Sequence, residues 1–176
     1  MNNINSIAVE SVIKKLQILE ITVMIAASIF IQFIIHIIPA GGQAPLGAIL
    51  LPMFYVPLIA LIFYNFQAAL IVTTVGPIIN YFLTGSPKLE IVPLLTFELL
   101  VFVLILALLL KSDRINKVSA LIAIISAKLA SWSVFSLFNL SGFSASFFIN
   151  SLIIAIPGII VLVLMNILLL YIKDRL

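Results

Sequence analysis

Six apolar tracts run through this chain, and most are as long as a lipid bilayer is thick. Leu16 to Ile38, Ala48 to Tyr64 and Glu90 to Leu110 hold at most two charged residues each. About 20 apolar residues in a helix cross roughly 30 Å of hydrocarbon. Such a segment must satisfy its own backbone N–H and C=O groups, which a helix does. A β-barrel is excluded, because its strands alternate polar and apolar residues and are only ~10 residues long. With 64% hydrophobic and 9% charged residues, a soluble domain of 176 residues could not cover its own surface. The expected fold is an all-α integral membrane protein, a bundle of six transmembrane helices in a single membrane domain, 1–176. Residues 1–15 are expected to form a short cytoplasmic segment.

The spans are placed near 16–38, 46–64, 68–84, 90–110, 118–139 and 147–172. Asn65, Phe66 and Gln67 make the second and third a tight helical hairpin, and the breakers in Pro39 to Pro45 and Thr84 to Pro87 end their neighbours. Lys14 and Lys15 before the first span resemble the start of a signal peptide. The length of that span, without a small-residue cleavage site after it, favours a retained helix.

Basic residues set the orientation. Lys14, Lys15, Lys111, Arg114, Lys117, Lys173 and Arg175, seven of the nine, fall on one set of connections. The positive-inside rule makes that side cytoplasmic and places both termini there. The loops Pro39 to Gly47, Gly85 to Leu89 and Leu140 to Ser146 are then outside, and they are the loops rich in Gly, Pro and Ser. Irregular backbone near a bilayer is tolerated where it is buried in protein or lines a wet cavity. The three loops together suit a lid over a ligand, and each alone suits an ordinary turn.

Polar residues inside spans are more informative, because a charge at a helix centre costs about 2.5–3.5 kcal/mol on insertion scales. Glu20 lies near the inner interface. Glu98 lies about two turns into the fourth span and Lys128 near the middle of the fifth, within roughly one turn of the same depth. They either pair with each other, hold a polar ligand, or exchange between the two. Ser131, Trp132, Phe135 and Asn139 follow Lys128 on or beside its helix face. Aromatic surface interleaved with hydrogen-bonding groups suits a planar heterocycle, and helix packing explains the same aromatics. Asn80, beyond Thr73 and Pro77 on the third span, and Asn150, on the sixth, add polarity toward the outer end. Gln32 and His36 fit the same trend, whereas Asn166 lies near the inner end. His36 has no second ligand at metal-binding spacing.

No enzyme constellation is present: no phosphate-binding glycine loop, no H-E-x-x-H, and no nucleophile with a base and an orienting group. The absence of cysteine removes thiol chemistry and disulfides. The net charge of +3 sits beside spans and is no nucleic-acid signal. No cofactor is expected. Concentrating a solute would then need an ion gradient or an energised partner.

Leu50, Leu51, Pro52, Met53 followed by Val56, Pro57, Leu58, then Val75, Gly76, Pro77, then Leu83, Thr84, Gly85, Ser86, Pro87 and finally Phe97, Glu98, Leu99 form an ordered series. It resembles the substrate-binding S components of energy-coupling factor vitamin transporters over about residues 20–135. The chain departs from that pattern at Phe54, where many relatives have histidine, near Asn80, where they have a basic residue, and after Phe102, where they have glycine. The resemblance implies a six-helix subunit in a bacterial cell membrane that takes a vitamin or related micronutrient from outside. Its partners would be a transmembrane coupling protein and two cytoplasmic ATPases, and the first three helices would meet the coupling protein through small residues. Thr22, Ala26, Ala27 and Ser28 are the candidates for that contact, and ordinary bundle packing suits them as well. Glu98, Lys128, Trp132, Asn80, Asn150, Phe135 and Asn139 are the expected ligand-facing residues. An autonomous ion-coupled carrier with Glu98 as proton site, and a structural scaffold with Glu98 and Lys128 as a registry pair, are the competing readings.

Overall fold

The computed structural model describes residues 2–38, 45–85, 87–112, 114–137 and 145–176, with side chains from residue 15 onward except those of His36 and Phe147. In chain order the helices are α1 (Asn2–Ile37), α2 (Leu46–Leu50), α3 (Tyr55–Phe63), α4 (Phe66–Thr84), α5 (Val92–Leu109), α6 (Ser119–Leu137) and α7 (Ala145–Lys173). Short 3-10 turns at Pro52–Phe54, Leu89–Ile91 and Asn116–Val118 lead into α3, α5 and α6, and no strand occurs among the described residues. Five helices, α1, α4, α5, α6 and α7, are long and apolar enough to cross a membrane. Their outward faces carry Leu19, Val23, Phe30 and Phe33 on α1, Leu104 and Leu108 on α5, and Ile153, Ile160 and Leu164 on α7, all exposed. Apolar surface on that scale needs lipid as its solvent.

The second expected span, 46–64, is not one helix. Pro52 disfavours the helical conformation at the residue before it and has no N–H to continue the ladder. Leu51 accordingly sits in the left-handed region at φ 53°, its N–H donating to the Gly47 carbonyl at 3.2 Å. Pro52 then restarts the chain as the first residue of a 3-10 turn, with the Phe54 N–H on the Leu51 carbonyl at 3.1 Å. The apolar remainder, Pro52–Phe63, spans ~18 Å at ~1.5 Å per residue, too short to cross a bilayer alone. Helix α1 extends back beyond the first expected span, through most of residues 1–15.

Short as it is, α3 is the core of the bundle. It packs against α1, α4, α5 and α7, and Tyr55, Val56, Pro57, Leu58, Ala60 and Ile62 are buried. A helix that is apolar on every side belongs in such a position. Around it α1, α4, α5, α6 and α7 pack in that order, each against the next. Phe54 meets Phe102 of α5 edge to face at 5.1 Å, fixing the start of α3 against the far wall.

Local chemistry sets the ends. The Asn65 side chain accepts the Ala68 N–H at 2.8 Å and so caps α4 directly after α3, closing the expected hairpin. Gly85 ends α4 in the left-handed conformation at φ 70°, with its N–H on the Tyr81 carbonyl at 2.8 Å. At the other end of the bundle the fully buried Asn166 of α7 donates to the Asn116 and Lys117 carbonyls at 2.8 and 3.1 Å. That amide ties α7 to the start of α6.

Candidate functional site

A cavity of about 610 Å³ opens at the end of the bundle where α4 meets α5 and α6 meets α7. Five parts of the chain build it. Gln32 comes from α1. The broken second segment supplies Pro45, Gly47, Ala48, Leu51, Met53 and Phe54. Pro87, Lys88, Ile91, Leu95 and Glu98 come from the α4–α5 connection and the first turns of α5, and Lys128, Asn150, Ser151 and Ile154 from α6 and α7. The turn at Leu51 seats α2 against α7, and residues on both sides of it, Gly47, Ala48, Leu51, Met53 and Phe54, line the cavity.

The close seat of α2 on α7 depends on Gly158. A Cβ there would lie 2.6 Å from the Ile49 carbonyl oxygen and 2.6 Å from the Leu50 carbonyl carbon, both backbone atoms. Tyr55, whose hydroxyl donates to the Leu50 carbonyl, holds the same point from the other side.

Deep in the wall, the Lys128 ammonium lies 2.8 Å from the Glu98 carboxylate, the two side chains being 10% and 9% exposed. Both charges are largely withdrawn from solvent and border the cavity, so each relies on the other and on what occupies the cavity. The rest of the wall is mostly apolar, with Gln32, Asn150, Ser151 and the exposed Lys88 as its other polar members. An apolar cleft of this size with a few convergent polar groups matches small-molecule sites. The ion pair offers a donor and an acceptor side by side, to which a ligand carrying the complementary pair can bind. Ser151 donates to the Phe148 carbonyl at 2.8 Å, an intrahelical bond with no base behind it. No cluster of three or more His, Asp or Glu that would hold a metal occurs among the described residues.

Of the residues singled out from sequence, Glu98, Lys128 and Asn150 line the cavity together. Asn80 is buried within α4 at 2% exposure, and its carbonyl accepts the Thr84 hydroxyl at 2.8 Å. Trp132 packs on Phe148 at 5.2 Å and Phe135 on Phe97 at 6.3 Å. None of Asn80, Trp132 and Phe135 is among the described lining residues. The Trp132 indole N–H has no hydrogen-bond partner among the described residues. Asn139 lies outside the described residues, as do 39–44, Ser86 and 140–144 of the expected outer loops and the His36 side chain.

The four small residues of α1 divide. Ser28 is buried at the crossing with α4, where a Cβ on Gly76 would lie 3.5 Å from its hydroxyl, and Ala27 packs on the core. Thr22 and Ala26, one turn apart, are exposed, with the Thr22 hydroxyl returned to the Ile18 carbonyl at 2.8 Å. What sequence reasoning passed over is the contribution of the broken segment. Leu51 and Met53 entered only as motif residues and Phe54 only as a departure from the motif, none of them as ligand-facing, although Pro52 beside them was the available signal for a break that turns them into the cavity.

No family model matches the chain, and no curated protein or solved structure does either.

Proposed function

We propose that this chain binds a vitamin or related micronutrient in the cavity and serves as the substrate-binding subunit of an energy-coupling-factor importer. The reading rests on one observation above others. A mostly apolar cavity of about 610 Å³ at one end of a membrane bundle has an almost buried ion pair in its wall. A purely structural pair needs no cavity beside it, and a plain packing defect needs no charges. The motif series supports the reading because Leu51, Met53, Pro87 and Glu98, all from that series, converge on the cavity. Glu98 and Lys128 orient the polar edge of the ligand, and Asn150 and Gln32 add hydrogen bonds. The loops expected outside serve as the gate in this reading. In this reading the chain hydrolyses no ATP, and a transmembrane coupling protein with two ATPases supplies the energy.

The test is mass spectrometry of small molecules retained by gently purified protein, followed by titration of the compound found. A vitamin-like compound should be retained by the wild type and lost in Lys128→Met. Retention by both would remove the ion pair from the site. Uptake by the chain alone in vesicles, abolished by collapsing the proton gradient, would replace the partnered model with an ion-coupled carrier. An empty protein in which Glu98→Gln disrupts assembly would establish a scaffold instead.

A further inference from the structure

The end of the bundle opposite the cavity carries a second concavity. A groove of about 490 Å³ lies between the end of α3, the start of α4 and the ends of α5 and α7, lined by Leu61, Phe66, Leu104 and Leu108 and bounded by Lys111 and Lys173. Leu104 and Leu108 are 48% and 65% exposed, so the groove opens sideways into the surrounding lipid. Both lysines are exposed, and neither has an ion-pair partner among the described residues. They stand at the C-terminal ends of α5 and α7, where the helix dipoles favour a cation.

We propose that this groove binds one anionic phospholipid, its phosphate between Lys111 and Lys173 and an acyl chain along Leu61, Leu104 and Leu108. Shape and charge agree on this occupant. A free anion would use the lysines and leave the apolar floor unfilled, while a neutral lipid would fill the floor and leave two cations unmatched. Basic pockets between transmembrane helices at a membrane surface take anionic headgroups for this reason. In the sequence Asp113 and Asp174 lie close to the two lysines, but Arg114, Lys117 and Arg175 share the same end, so basic residues outnumber acidic ones there by five to two.

Native mass spectrometry of the purified full chain, titrated with phosphatidylglycerol or phosphatidylcholine, tests the site. One phosphatidylglycerol should be retained in preference to phosphatidylcholine by roughly tenfold, and K111Q/K173Q should abolish that preference. R114Q/K117Q makes the same change of charge outside the groove and should leave the preference intact. Leu108→Trp keeps both lysines but obstructs the floor, and it should also expel the lipid, which preserves the test if the lysine variant does not fold. Equal loss in the two charge variants would reduce the effect to bulk electrostatics and overturn the site. Equal retention of the two lipids would also overturn it, as would stabilisation by inorganic phosphate equal to that by phosphatidylglycerol. None of these outcomes depends on what the cavity binds.

Discussion

Replacing Lys128 by methionine leaves the Glu98 carboxylate in a wall with no cation beside it. For a fully buried pair, loss of one partner costs about 3–5 kcal/mol, because the remaining charge is uncompensated. Here the side chains are 10% and 9% exposed and border a cavity able to admit water, which lowers the expected loss. The single variants Lys128→Met and Glu98→Gln should each lose about 2–3 kcal/mol. The double variant removes both charges and should fall within about 1 kcal/mol of the wild type, since apolar or neutral replacements of a buried pair are often neutral. The coupling energy in the double-mutant cycle is then at least ~3 kcal/mol. The single tryptophan gives a direct readout, because Trp132 lies one turn beyond Lys128 on α6 and packs on Phe148 of α7. Its fluorescence during reversible unfolding in mixed micelles should report the four stabilities. Additivity within about 0.5 kcal/mol would refute the reasoning, because it would mean that the two charges do not meet in the membrane.

Gly158→Ala puts a methyl group 2.6 Å from backbone atoms of Ile49 and Leu50, which cannot rotate away. It should destabilise the fold by about 1–3 kcal/mol in the same unfolding assay and weaken ligand binding, and an unchanged stability would unseat α2 from α7. Asn166→Leu strips two carbonyls of their donor and should cost about 1–3 kcal/mol without changing ligand affinity. The reason is distance: Asn166 lies 12 residues beyond Ile154, roughly 18 Å along α7. A titration showing altered affinity would disprove that independence.

How much of this could be read from the chain depends on whether the cue was local. The helix expected at 68–84 is Phe66–Thr84 and that expected at 90–110 is Val92–Leu109, because a capping Asn65, a left-handed Gly85 and an early Pro93 mark their ends in the sequence itself. The meeting of Glu98 and Lys128 was open to inference, since helical rise puts them at one depth, but rise alone cannot say whether they face each other. Trp132 and Phe135 show that limit. They share a helix with Lys128, yet their rings turn to Phe148 and Phe97, a choice made by the neighbouring helices. The second span hid its break because residues on both sides of Leu51 are apolar and a hydropathy pattern runs straight through it. The seat that the turned segment takes is set by a distant residue, Gly158, which lets the backbone of Ile49 and Leu50 approach α7.

The cavity and the break share residues, since Leu51, Met53 and Phe54 beside Pro52 line the opening. Proline at 52 obliges the chain to stop a helix in the middle of an apolar run, and Leu51 accepts a left-handed conformation for which a side chain costs roughly 1 kcal/mol or more. Such strain persists only where the surroundings over-determine it. Here the hydrogen bond to Gly47, the Tyr55 hydroxyl on Leu50 and the tight crossing at Gly158 together fix the turn. The cavity that Leu51, Met53 and Phe54 line also has Glu98 and Lys128 in its wall, so the ion pair borders an opening and not only packed side chains. Gly158 lies one turn beyond the lining residue Ile154 on α7 and sets the seat of α2, whose Gly47 and Ala48 also line the cavity, so a perturbation there should be felt in binding.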